Sequence, residues 1–211
     1  MQDKTTELHD YCEQHSFLPD KLLKDIERYT HLHTLAPRML SGHLQGAFLT
    51  MITKMVEPKV ILEIGTFTGY SGLCMAHGLA NDGKLITIEY DKENAAIAQD
   101  FFDKSSLRDK IQLITGDAKT IIPTLDETLD LVFIDADKEG YSTYFDLVIE
   151  KCRTGAMIIA DNVLWSGKVM DKDMDKKTAI IDAFNKKIAS DDRVEVVMVP
   201  MRDGLYMMRV K

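Results

Sequence analysis

The chain has 211 residues, a length that suits one large domain with a full α/β core and leaves little room for a second. Its formal net charge of -8 argues against broad affinity for nucleic acid or anionic membrane, and 45% hydrophobic with 28% charged residues is the balance of a soluble globular protein. Cys12, Cys74 and Cys152 lie far apart without a C-x-x-C pair, suggesting neither a disulfide framework nor a zinc site; no apolar run approaches a signal or membrane segment, so a cytoplasmic location is expected.

Ahead of residue 58 the apolar spacing is helical. Leu22, Leu23, Ile26 and Tyr29 mark one segment, and Leu44, Phe48, Met51, Ile52 and Met55 mark another that Pro58 ends. Between them, His31 to Gly46 reads as a loop with Pro37 and Gly42 as breakers; Met39 and Ser41 there either line a pocket beside the first strand or pack as ordinary side chains. His31, His33 and His43 lack a tight metal-ligand spacing. Residues 1–57 are expected to be a helical extension on a core at residues 58–211, within a single domain.

Val60 to Ile64 is an almost continuous apolar run, the pattern of a strand buried on both faces of a parallel sheet. Gly65-Thr66-Phe67-Thr68-Gly69-Tyr70-Ser71-Gly72 follows, with three glycines that let the backbone turn, adopt positive φ and admit a ligand without a Cβ in the way. A helix to about Leu79 and a turn at Asn81-Asp82-Gly83 lead into a strand, Lys84 to Glu89, ending on an acid about where a nucleotide-binding βαβ unit holds a ribose hydroxyl. This reads as a nucleoside pocket, the alternative being a turn that only packs helix on strand. Phe67 stands where the dinucleotide fingerprint needs its second glycine, which disfavours NAD. Glu63 completes E-x-G-x-x-x-G, and a carboxylate here suits a ligand carrying an ammonium or sulfonium, such as S-adenosylmethionine.

Strand-like and helix-like segments then alternate. Asp91 caps a helix carrying Ala95, Ala98, Phe101 and Phe102; strands run at Lys110 to Thr115, Leu129 to Ile134 and Ala156 to Ala160; helices carry Tyr141 to Lys151 and Ile180, Ile181, Phe184 and Ile188. The alternation predicts an α/β fold, a Rossmann-like mostly parallel sheet with helices on both faces. Val194 to Val199 and Leu205 to Val210, joined by a short Pro200 to Gly204 connection, close it with a C-terminal antiparallel hairpin.

In such a sheet ligands bind beyond the carboxyl ends of the strands, and those ends are acidic here: Glu89, Asp117, Asp135 and the pair Asp161-Asn162. If the strands ending at Asp135 and Asp161 are neighbours, their ends lie roughly 5 Å apart, and two carboxylates with one amide oxygen converge. A hard divalent cation relieves their repulsion, with magnesium, manganese or calcium favoured over zinc by an all-oxygen set.

Glu63-Ile-Gly-Thr-Phe-Thr-Gly-Tyr-Ser71, Ile88-Glu-Tyr-Asp91, Gly116-Asp-Ala118, Phe133-Ile-Asp-Ala-Asp-Lys138, Asp161-Asn-Val-Leu-Trp-Ser-Gly167 and Arg202-Asp-Gly204 resemble, in order, the motifs of the cation-dependent class I S-adenosylmethionine O-methyltransferases, the family of catechol and caffeoyl-coenzyme A O-methyltransferases. The resemblance runs from about Pro37 to the C-terminus and leaves residues 1–36 unmatched. It implies cofactor contacts from Met39, Glu63, Gly65, Ser71, Glu89, Asp117, Ala118 and Asp135, metal ligation by Asp135, Asp161 and Asn162, and a base at Lys138. The implied reaction is in-line methyl transfer to a vicinal hydroxyl of a catechol-like small molecule, with Trp165 and Tyr206 as candidate aromatic walls. An alternative acceptor is a 5-hydroxyuridine of tRNA, for which Lys168, Lys172, Lys176, Lys177, Lys186 and Lys187 offer a local basic face unless they only solvate a helix. A homodimer is also expected from the resemblance.

Overall fold

The computed structural model describes residues 4–17 and 20–211; the parts of the expected helical extension at residues 1–3 and 18–19 lie outside the described residues. Seven strands, β1 (Val60–Ile64), β2 (Lys84–Glu89), β3 (Ile111–Thr115), β4 (Leu129–Ile134), β5 (Cys152–Asp161), β6 (Val194–Val199) and β7 (Leu205–Val210), form one sheet in the order β3-β2-β1-β4-β5-β7-β6. Strands β1 to β5 are mutually parallel, and β7 lies antiparallel between β5 and β6. The Rossmann-like sheet and closing hairpin expected from the sequence are therefore present. Strand β5 starts earlier than its apolar run because it continues through Gly155, at φ +81°, across a register shift against β4.

Both faces of the central strands are covered. Leu62, Ile64, Val132 and Ile134 pack against Tyr141, Phe145 and Val148 of α7 (Tyr141–Ile149) and Phe184 and Ile188 of α8 (Lys176–Ala189). Ile61, Leu131 and Phe133 face the other way, toward Leu49 of α3 (Gly42–Val56) and Met75 of α4 (Tyr70–Ala76). Each such side chain contributes about 1.5–3 kcal/mol on burial, so the carboxyl ends of β1 and β4 are anchored in the packed core.

The N-terminal region differs in detail from the sequence reading. Helix α1 (Lys4–Gln14) carries no apolar stripe strong enough to have announced it, and α2 (Lys21–His33), capped by Asp20, runs through the histidines assigned to a loop. The loop is accordingly confined to residues 34–41, ended by α3 at Gly42. The inner face of α3 is Gln45, Gly46, Leu49, Thr50 and Thr53, while Met51 and Met55 of the expected apolar stripe are 50% and 76% exposed. Close approach to α4 requires small residues: a Cβ on Gly46 would lie 2.8 Å from Cys74 Sγ and from the Tyr70 ring. Among the described residues, no helix is long and apolar enough to cross a membrane.

Candidate active site

From β1 the chain proceeds to β2 and β3 on one side, and β4 and β5 build the other, so a crevice opens beyond the carboxyl ends of β1 and β4. It is a cleft of about 1090 Å³, room for a nucleoside and a second small molecule together. Gly65, Ser71, Glu89, Asp117, Ala118, Met39, Ser41, Asp135, Lys138, Asp161, Asn162 and Trp165 all line it.

The glycine turn forms one wall. Gly65 has φ +98°, and a Cβ there would meet the Asp135 carbonyl oxygen at 2.0 Å, so the missing side chain first allows β1 to meet the end of β4 and only then leaves space for a ligand. Phe67, where a dinucleotide site has glycine, is itself left-handed at φ 49° and donates its N–H to Glu89 Oε2 at 2.7 Å. Glu89 Oε1 accepts from the Asp91 N–H at 2.9 Å, and burial raises its pKa against these bonds. Asp117 caps the short helix that follows it, accepting from the Lys119 N–H at 2.9 Å, and thereby sets Ala118 on the cleft floor.

Glu63 is placed differently from the expected cofactor contact. Its side chain is fully buried beneath α4 and does not line the cleft; Ser71 Oγ and Thr87 Oγ1 donate to its two oxygens at 2.6 Å each. Gly72 makes room for it, since a Cβ there would stand 2.7 Å from Glu63 Oε2. Burial, opposed by the two hydroxyl bonds, pushes the Glu63 carboxyl up to about 8. Its route to the cleft is through Ser71.

On the opposite wall β4 and β5 are adjacent, as convergence of their ends requires, and Asp135, Asp161 and Asn162 gather there. Lys138 Nζ donates to Asp135 Oδ1 at 3.2 Å, to Asn162 Oδ1 at 3.0 Å and, at 3.5 Å, to the Asp161 carbonyl. The ammonium is held by the side-chain oxygens of Asp135 and Asn162, with the Asp161 carboxylate beside them in the cleft, and this all-oxygen donor set fits magnesium, manganese or calcium. Burial and the nearby Asp135 charge both raise the Asp161 pKa, as expected of a buried carboxylate with another acid close by. Asn162 sits at φ 58°, a left-handed conformation that asparagine tolerates better than most residues.

Three partners of this group were not among the expected site residues, although Arg202 stood in a matched motif. The Tyr141 hydroxyl, fully buried, accepts from Lys138 Nζ and donates to the Asp161 carbonyl at 2.9 Å. Gln45 Nε2 donates to Asp161 Oδ2 at 2.7 Å. Arg202 donates to the carbonyls of Leu40, at 2.9 Å, and Ser41, tying the Met39 loop to the turn between β6 and β7. For Gln45 the cue was a polar residue one α-helical turn before the buried Leu49.

Trp165 enters the cleft on a left-handed run, with φ 49°, 55° and 77° at Trp165, Ser166 and Gly167; Asp203 accepts from the Ser166 N–H and so fastens it. Tyr206, the other candidate aromatic wall, is instead a core residue of β7 paired with Ala160 and Met198 and does not line the cleft. Of the lysines that offered a basic face, Lys176, Lys186 and Lys187 pair with Glu139, Asp182 and Asp146, while Lys168 and Lys177 line the cleft.

A family model described as O-methyltransferase matches residues 13–211. Catechol O-methyltransferase of Niastella koreensis is 38% identical over 178 residues, covering 79% of this chain and 80% of that protein. Caffeoyl-CoA O-methyltransferase 1 of Eucalyptus globulus is 36% identical over 177 residues, with coverages of 78% and 72%. The solved structure of the O-methyltransferase TomG from Streptomyces achromogenes, involved in tomaymycin synthesis and in complex with SAM, superposes with a TM-score of 0.92 at 27% identity, over 100% of this chain and 99% of that one.

Proposed function

The chain belongs to the O-methyltransferase family, and from that premise we propose that it moves the methyl group of S-adenosylmethionine to one hydroxyl of a vicinal pair on a catechol-like small molecule, assisted by a divalent cation held by Asp135, Asp161 and Asn162. The observation that supports the reading is that Asp135, Asp161 and Asn162 line the same cleft as the glycine turn, with the Asp135 and Asn162 side chains both bonded to the Lys138 ammonium.

In this reading the sulfonium cofactor lies along Gly65, Ser71, Glu89, Asp117, Ala118 and Met39, with Glu63 acting through Ser71 and Asp135 facing both ligands. The acidic wall favours the cationic cofactor over its neutral thioether product, which aids release. When bound, the cation supplies Lewis-acid activation of the acceptor hydroxyl and a template for its orientation. Lys138, once it has released its own ammonium proton to solvent, takes the acceptor proton on Nζ as the O–CH₃ bond forms and the S–CH₃ bond breaks. Trp165 flanks the ring. The chain acts as one domain, with the helices ahead of residue 58 covering the core. It is a cytoplasmic homodimer, a state supported by the outward-facing Met51 and Met55 of α3 and readable by light scattering.

Incubation with methyl-labelled S-adenosylmethionine and Mg²⁺ tests the function against a catechol panel, with unmodified and hydroxylated tRNA as parallel arms. Label in a catechol supports the reading; label only in hydroxylated tRNA, or none at all, overturns it.

A further inference from the structure

Gln45 is fully buried on the inner face of α3, does not line the cleft, and stands 116 residues from Asp161 in sequence. Its neighbours decide how its amide is turned. The Asp161 carboxylate only accepts when ionised and the Arg202 guanidinium only donates, so Nε2 must face Asp161 Oδ2, at 2.7 Å, and Oε1 must face Arg202 Nη1, at 3.4 Å. The other oxygen of Asp161 accepts the Asn162 N–H at 2.7 Å. Both carboxylate oxygens are therefore aimed by fixed donors, one from the neighbouring backbone and one from a helix on the far side of the sheet edge.

We propose that Gln45 is a positioning residue for the cation site: its amide fixes the rotation of the Asp161 carboxylate so that the remaining lone pairs point at the cation. The inference rests on the metal-assisted reading given above. A neutral donor suits this task. A lysine or arginine at this position would orient Asp161 but neutralise the charge the cation needs, and a glutamate would repel it. Arg202 extends the device by holding Gln45 on one side and the Leu40 and Ser41 carbonyls on the other, which links the cofactor loop to the orientation of a metal ligand. Partners of this kind, lying behind the ligands, carry much of a site's affinity.

The test titrates Mn²⁺ into wild type, Gln45→Met and Leu49→Ala by calorimetry, followed by S-adenosylhomocysteine into the same three proteins. Leu49, buried one turn further along α3, is the control for lost packing. Gln45→Met is expected to weaken Mn²⁺ about 10–100-fold with cofactor affinity unchanged, while Leu49→Ala leaves both affinities unchanged at reduced thermal stability. With substrate, Gln45→Met should lower kcat more than it raises the acceptor KM. Equal Mn²⁺ affinity in wild type and a folded Gln45→Met overturns the inference and leaves the metal reading standing; a wild type that binds no Mn²⁺ defeats both. A wild-type measurement covers a variant that does not fold: the Gln45 side-chain amide resonances of ¹⁵N-labelled protein should exchange slowly with solvent and shift on addition of Mg²⁺, and rapid exchange with no shift would overturn the assignment.

Discussion

Lys138 Nζ lies closer to Asn162 Oδ1, at 3.0 Å, than to Oδ1 of its sequence neighbour Asp135, at 3.2 Å. The lysine therefore bridges the ends of two strands, and the Tyr141 hydroxyl accepts a further hydrogen bond from it. An ammonium anchored on Asp135 alone would be an ordinary ion pair three residues apart. Anchored on both strand ends, it occupies side-chain oxygens that the proposed cation would use.

Replacing Lys138 by methionine keeps the length of the side chain and removes the proton acceptor. Loss of a general base costs ~10²–10⁴ in rate, so kcat should fall by that order, with S-adenosylmethionine affinity nearly unchanged. Single-turnover kinetics with calorimetry separates the two. A kcat within about threefold of wild type would assign the proton to water or another side chain.

Removal of divalent metal should stop turnover and spare cofactor binding, because the Gly65, Ser71 and Glu89 wall belongs to β1, α4 and β2 rather than to the ends of β4 and β5. Excess EDTA, and separately Asp161→Ala, are expected to abolish methyl transfer while S-adenosylhomocysteine still binds within about tenfold, about 1.4 kcal/mol. Full activity in EDTA would remove the cation from the mechanism.

Glu63 makes stability depend on pH in a direction opposite to most carboxylates. Its carboxyl holds a proton up to about pH 8 in the fold but titrates near 4.5 when free, so the folded chain binds the extra proton between those values. This contribution is complete below 4.5, declines as pH rises toward about 8 and is absent above it, with a slope of up to about 1.4 kcal/mol per pH unit. Glu63→Gln, a neutral isostere, should flatten that part of the Tm profile between pH 5 and 8. Parallel profiles for the two proteins would mean that Glu63 is ionised in place.

Asp203→Ala removes the acceptor that fastens the Ser166 N–H and leaves Trp165 and Ser166 in a left-handed conformation without support. One such bond is worth about 1 kcal/mol, so the acceptor KM should rise about fivefold while cofactor affinity holds. An unchanged KM would show that Trp165 does not flank the acceptor.

The features legible in the sequence are those whose cause is local. The buried runs of β1, β2 and β4, the glycines at 65 and 69 and the acids past each strand follow from periodicity, backbone conformation and the geometry of parallel sheets. What escaped depends on contacts between distant segments. Glu63 reads as a ligand-facing acid until α4 is seen to close over it, and Tyr206 reads as an aromatic wall until β7 is seen to run inside the sheet. Gln45 and Arg202 meet across 157 residues, and no spacing rule joins them. The outward face of α3 was misread for a related reason: tight helix packing selects glycine and threonine, which an apolar pattern counts as surface.

Strand β7 is the last element of the chain yet hydrogen-bonds on both edges, to β5 and to β6. Edge strand β6 is held in the sheet through β7 alone, and the turn between them carries the Arg202 that grips Leu40 and Ser41. A variant in which β7 cannot pair would keep every proposed ligand yet lose the bracket that Arg202 places on the Leu40 and Ser41 carbonyls. The two halves of the cleft are in this way fastened to each other by a hairpin turn rather than by the strands that carry the ligands.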